Sequence, residues 1–180
     1  MMKLSFQFAR RKVKGFSILE MMLATVILLV GLVAIAQLVP ASILLNYRNR
    51  TDSSALVFAQ RELDQFLDQP LISTSFTDAL GNTCNLGSAG SPNTVQGSPV
   101  VVVNNLALIN FAAGTVANYS FTYQDAADPA GIGTTYDVRW AVIITGNGTS
   151  VSAKRFILGI RQQGGSGYFQ PVTLDTMVER

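Results

Sequence analysis

Apolar side chains dominate the chain from Phe16 to Leu45, where Glu20 is the single ionisable residue. Between Met21 and Val39 only Thr25 and Gln37 are polar. About 20 residues of this kind, in helical form, cross the hydrocarbon core of a bilayer. The pattern then changes. Leu56, Ala59, Leu63, Phe66 and Leu67 recur at steps of three and four, which predicts an amphipathic helix with one apolar face. No Pro or Gly interrupts Ala41 to Gln69, and Pro70 stops the run. The two patterns join into one expected helix over 16–69, roughly 80 Å long at about 1.5 Å per residue. Its stretch 18–39 is the expected transmembrane part. Pro40 removes one backbone donor inside the pattern, so a kink or local unwinding is expected near Ala36 to Pro40. Gly31 marks a second weak point or a position of close helix packing.

Beyond Pro70 the period shifts from helical to two-residue. Segment 73–99 is rich in Gly, Ser, Thr and Asn, carries Pro92 and Pro99, and reads as a variable surface loop holding one strand. Val100 to Phe111 supplies one or two strands. In "NYSFTYQD", Tyr119, Phe121 and Tyr123 alternate onto one face. "TYDVRWAVIIT" (Thr135 to Thr145) and "SVSAKRFILGIRQ" (from Ser150) flank a turn at Gly146 to Gly148, predicting a hairpin of two long strands. "YFQPVTL" reads as a short edge strand, because Pro171 bars a central place. The expected fold class is α+β. A four- or five-stranded antiparallel sheet, the head over 70–180, wraps on the second half of the long helix, since each face needs the other for burial.

Charge sharpens this division. The 180 residues carry a net charge of +2, but 5 of the 13 basic residues (Lys3, Arg10, Arg11, Lys12 and Lys14) precede Gly15. The remainder has 8 basic against 11 acidic residues, a balance of −3. The basic character therefore belongs to a leader, and no nucleic-acid partner is expected. Arg48, Arg50 and Arg61 lie among Asp52, Glu62 and Asp64, which reads as a solvated helix face.

Catalytic constellations are scarce. The absence of His removes Ser-His triads, Cys-His dyads and His metal sites. "GIGTTY", "GNGTSV" and "GGSGYF" lack phosphate-loop spacing and read as turns. Asp125 and Asp128 are too few oxygens for a calcium site, so a turn is the better reading. Cys84 has no second cysteine to pair with and reads as an idle thiol, and Trp140 reads as core filler. No enzyme activity, cofactor or metal is expected.

Glu20 remains to be explained. A cleaved secretory signal with a cut at the small residues Ala34 to Ala36 leaves it without a role, and so does a plain anchor. A carboxylate deep in a membrane costs on the order of 2.5–3.5 kcal/mol, less near an interface. A cut after Gly15 changes this. It frees a cationic amine on Phe16, and Glu20 becomes the fifth residue of a helix, about one turn away. Between helices packed with an axial offset, the carboxylate of one can meet the amine of the next. A broken buried pair costs about 3–5 kcal/mol, so wrong registers are penalised.

"KGFSILEMMLATVILLVGLVAIA" resembles the class III signal of type IV prepilins and type II secretion pseudopilins: a short basic leader ending in Gly, an aromatic residue at the cut, and Glu at the fifth mature position. The resemblance implies a leader over 1–15, cleavage between Gly15 and Phe16, N-methylation of Phe16, and a register role for Glu20. It covers about 40 residues. Within the family, the apolar choices look more like minor prepilins, including the type IV pilus modification proteins, than major subunits. Many major pilins close the C-terminal region with a disulfide, which Cys84 alone cannot form. The resemblance further implies a prepilin peptidase and methyltransferase, an assembly platform and other pilin helices as partners. It places the precursor in the inner membrane, N-terminus in the cytoplasm. The basic flank gives the same orientation. A pseudopilin is the neighbouring alternative, and a membrane-anchored binding protein that never polymerises is the alternative from another class.

Overall fold

The computed structural model describes residues 15–125, 133–164 and 171–179. Asp128, part of the stretch "GGSGYF" and the basic leader residues lie outside them. The order of elements is α1 (Ile18–Leu67), β1 (Ser75–Thr77), β2 (Thr83–Asn85), β3 (Val95–Gly97), β4 (Val100–Val103), β5 (Leu106–Ile109), β6 (Ser120–Asp125), β7 (Thr134–Gly146), β8 (Val151–Gln163) and β9 (Val172–Glu179). The fold is α+β, as expected. One long N-terminal helix is followed by antiparallel strands. The helical assignment continues through Ala36 to Pro40, so no unwinding accompanies the proline.

The chain divides into two units at Asn46/Tyr47. In the second unit, β7 and β8 form the expected long hairpin, in register from Thr135↔Gln163 to Thr145↔Ala153, with a bulge before Gly146↔Val151. The Asn147 side chain closes its turn by accepting hydrogen bonds from Thr149 and Ser150. β9 borders β8. The other edge of β7 is shared: β6 pairs with its first half and β3 with Ala141 to Ile143. At the junction Trp140 donates its amide to Tyr119 O, and Ser98 donates to Trp140 O. Gly97 makes this crowding possible. Its φ is +103°, and a Cβ there would lie 2.3 Å from the Tyr119 ring.

Period-2 alternation sends Tyr136, Val138, Trp140, Val142 and Ile144 of β7, and Phe156, Leu158 and Ile160 of β8, into one core with α1. From α1 come Ala55, Phe58, Ala59, Leu63 and Phe66. The Phe66 ring lies 5.2 Å from Trp140, 5.7 Å from Phe156 and 5.6 Å from Phe76. Phe58 stacks on Tyr123 at 3.9 Å. Trp140 is core filler, as expected, and its indole N–H donates to Asn85 O at 2.8 Å.

Four details differ from the sequence reading. The buried face of α1 is centred one residue away from the expected one: Leu56 is exposed, while Phe58 and Glu62 are buried. Glu62, expected on a solvated face, is 0 % exposed. Segment 73–99 holds three short strands instead of one, with Cys84, Leu86, Asp78 and Ser98 buried. The C-terminal strand begins after Pro171 and has 8 residues.

The second face of the sheet is covered as well. The β4–β5 hairpin turns through Asn104 and Asn105, both at positive φ, the conformation of a two-residue hairpin turn. Ile109 and Phe111, at its end, pack on Ala141 and Ile157. A Cβ on Gly159 would lie 2.8 Å from Ile109, so the hairpin's approach depends on that glycine. Beside it Asp137 accepts hydrogen bonds from Arg139 at 2.8 Å and from Arg161 at 3.3 Å. Arg139 also donates to Ala113 O at 2.7 Å. Both guanidinium groups lie over the Phe111 ring, at 5.2 and 4.8 Å from its centre.

Candidate functional site

Gly15, Phe16 and Ser17 are non-helical, and α1 begins at Ile18. Ser17 caps it. Its carbonyl accepts from the Met21 amide at 3.1 Å, and its hydroxyl accepts from the Leu19 amide at 3.3 Å. Glu20 therefore occupies the first turn, where a negative charge faces the positive end of the helix dipole. Ser17 and Glu20 have the spacing of a capping box, a local role that the sequence reading did not consider. Gly15, Phe16 and Glu20 thus sit together around one helix end, all exposed.

The helix that follows has no packing within its own unit. Leu19, Met22, Val26, Leu29 and Val33 are among many large apolar side chains about half or more exposed. The few polar groups are turned inward on the backbone: Thr25 donates its hydroxyl to Met22 O, and Ser42 to Val39 O, both at 2.8 Å. A helix apolar all round and unpaired among the described residues of its own unit requires lipid or other helices. A Cβ on Gly31 would meet nothing within 4 Å among the described residues of its unit.

Residues 10–36 match the family model described as the prokaryotic N-terminal methylation motif. The chain carries a prepilin-type class III signal. The match takes in Gly15, Phe16, Glu20 and most of the apolar run. No curated protein and no solved structure matches the chain. The motif supports a pilin-like or pseudopilin function, processing by a prepilin peptidase and assembly with other pilins. An apolar helix behind such a signal is a membrane anchor.

The head offers little reactive chemistry. Cys84 is buried on β2, and its thiol is pushed up to about 12 by burial, then by the charges of Asp78 and Glu62. It stays protonated and unreactive at neutral pH. Among the described residues no group of three His, Cys, Asp or Glu could hold a metal ion. Asp125 ends β6, and its expected turn partner Asp128 lies outside the described residues.

Sequence reasoning missed three buried ionisable sites. Asp137 and Arg139 pair beneath the β4–β5 hairpin. Lys154 is 2 % exposed and donates to Ser73 O, with burial lowering its pKa to about 8. Glu62 faces the β1–β2 hairpin. Alternation within β7 and β8 signals Asp137 and Arg139 as one face, but only the covering hairpin makes that face internal.

Proposed function

We propose that the chain is a minor pilin of a type IV pilus, cut after Gly15 and methylated on Phe16, whose first helix enters a filament core. The observation that carries this reading is the methylation motif followed by an apolar helix without packing of its own. Cleavage gives Glu20 a cation to face, on its own chain and on the next. The basic leader keeps the precursor's N-terminus in the cytoplasm, and the head lies on the other side of the inner membrane. Lipid and neighbouring helices solvate the same apolar surface, so assembly exchanges equivalent environments and adds packing and an ion pair. Pro40, which withdraws one helix hydrogen bond, is where the helix bends on entering the filament. The pilus platform extracts the subunit from lipid. The minor role rests on the apolar choices in the first helix and on the single Cys84.

A pseudopilin of type II secretion would use the same residues in a shorter filament. A membrane-anchored binding protein would not need Glu20. The test is Glu20→Val in cells that assemble filaments, scored by the subunit recovered in sheared filaments against the membrane fraction. The filament reading expects normal membrane levels and at least about a tenfold loss from filaments, consistent with a lost buried pair. Undiminished incorporation would overturn the register role.

A further inference from the structure

Glu62 lies on α1 well beyond the apolar stretch, inside the head. It is 0 % exposed, and among the described residues no donor makes a well-formed hydrogen bond to its carboxylate, which has only weak contacts from the Arg61 and Gln65 side chains. Four groups face it. Arg61 and Gln65 come from α1, and Asp78 and Cys84 from the β1–β2 hairpin. Arg61 is the cation, 3.5 Å away, but its side chain is 50 % exposed and is drawn over the Phe58 ring as well. Asp78 is a second buried carboxylate. Its own oxygens are satisfied within the hairpin by the Leu80 and Asn82 amides and the Asn82 side chain. Gln65 ties the hairpin tip to the helix, its carbonyl accepting from the Ala79 amide at 2.8 Å. Its buried NH2 group makes no well-formed hydrogen bond among the described residues, only a weak contact to Glu62.

Helix and hairpin thus each present a buried carboxylate at their joint, and only that of Asp78 has well-formed hydrogen bonds. Ionised, Glu62 is an unsolvated charge repelled by Asp78 across the joint. Protonated, it is a neutral group of acceptable burial. We propose that Glu62 is a proton-operated latch: with its carboxyl protonated the β1–β2 hairpin seats on α1, and with it ionised the hairpin opens from its tip at 78–82.

The direction of titration agrees. Burial first, and Asp78 second, raise the Glu62 pKa above its ordinary value, and the Arg61 charge and the weak Gln65 and Arg61 hydrogen bonds only partly offset them. A folded-state pKa above the unfolded one gives stability that is complete below the ordinary carboxylate pKa. It is lost as pH rises through the folded value. Loss falls on the contact Glu62 faces, the hairpin tip, which one side-chain hydrogen bond ties to α1, while Phe76 on Phe66 and the Trp140 indole on Asn85 O hold the hairpin's base.

Cys84 supplies the readout, being the only cysteine, buried on β2. The full chain in detergent micelles is treated with iodoacetamide across about pH 5 to 8, and each rate is divided by that of the urea-unfolded chain at the same pH. The latch predicts a normalised rate rising by about tenfold or more in the wild type and flat within about twofold in Glu62→Gln. A flat wild-type profile overturns the proposal, and so does an equal rise in Glu62→Gln. If that variant fails to fold, Asp78→Asn replaces it. Its amide oxygen can still accept from Leu80 and Asn82, and it should shrink the rise. An undiminished rise there counts against the latch.

Discussion

Lys154 places an ammonium inside the head, and replacing it with Met should make the protein more stable. The residue is 2 % exposed and donates to Ser73 O at 2.5 Å. Burial lowers its pKa from 10.5 to about 8. Below about pH 8 folded and unfolded chains both hold the proton, so the fold bears the whole desolvation cost. Between about 8 and 10.5 the folded chain sheds the proton first, and stability rises with pH. At about 1.4 kcal/mol for each pH unit, that gap has a ceiling of about 3.5 kcal/mol, and partial hydration of the amine reduces it to about 1–2 kcal/mol. Met keeps most of the stem's volume, and the half-buried Ser73 carbonyl can turn to water. Urea unfolding in detergent, followed by the fluorescence of Trp140, the only tryptophan and a core residue, measures the difference. Lys154→Met should gain about 1–2 kcal/mol at pH 7 and lose the wild type's rise between pH 8 and 10.5. Parallel pH profiles for the two proteins, or a variant less stable at pH 7, would refute the reasoning.

The same assay reaches two further sites. Asp137→Asn strands Arg139, which is 6 % exposed, and should cost about 3 kcal/mol, whereas Arg161→Ala should cost less than about 1 kcal/mol because that side chain is 37 % exposed. Equal losses would show that the pair's burial does not set its energy. Gly159→Ala puts a methyl group against Ile109 and should lower stability by about 1–3 kcal/mol, with faster amide exchange over 100–109. Unchanged exchange there would mean that the β4–β5 hairpin does not rest on this glycine.

Much of the fold was legible because two periods are hard to confuse over long runs. Phe16 to Leu45 is apolar all round, which leaves few alternatives to a membrane-length helix. β7 and β8 are 13 residues each, with a glycine turn between them. Short or two-sided features were not legible. β1, β2 and β3 have three residues each, too few for a period to emerge from a Gly, Ser and Asn background. On α1, Leu56 and Phe58 are both apolar, and helical spacing admits either as the edge of the stripe. The sheet chose Phe58, through Tyr123 and Phe121 of β6. Glu62 followed from that rotation. Flanked in sequence by Arg61 and Asp64, it looks solvated, yet it falls on the buried side once Phe58 and Phe66 do. The capping geometry of Ser17 and Glu20 was present in their spacing, but a Ser three residues before a Glu becomes a cap only where the helix starts between them, and here it starts at Ile18.

The methylation motif was legible because the matched residues 10–36 are a local signal that needs no tertiary contact. Its chemistry lies in covalent processing, which also decides between a filament subunit and a tether. The most direct test is the intact mass and N-terminal sequence of the protein extracted from membranes of cells that contain the processing peptidase. The account predicts a chain starting at Phe16 with a methyl group on its amine. A chain that keeps residues 1–15, or one that begins at Gln37, would contradict it.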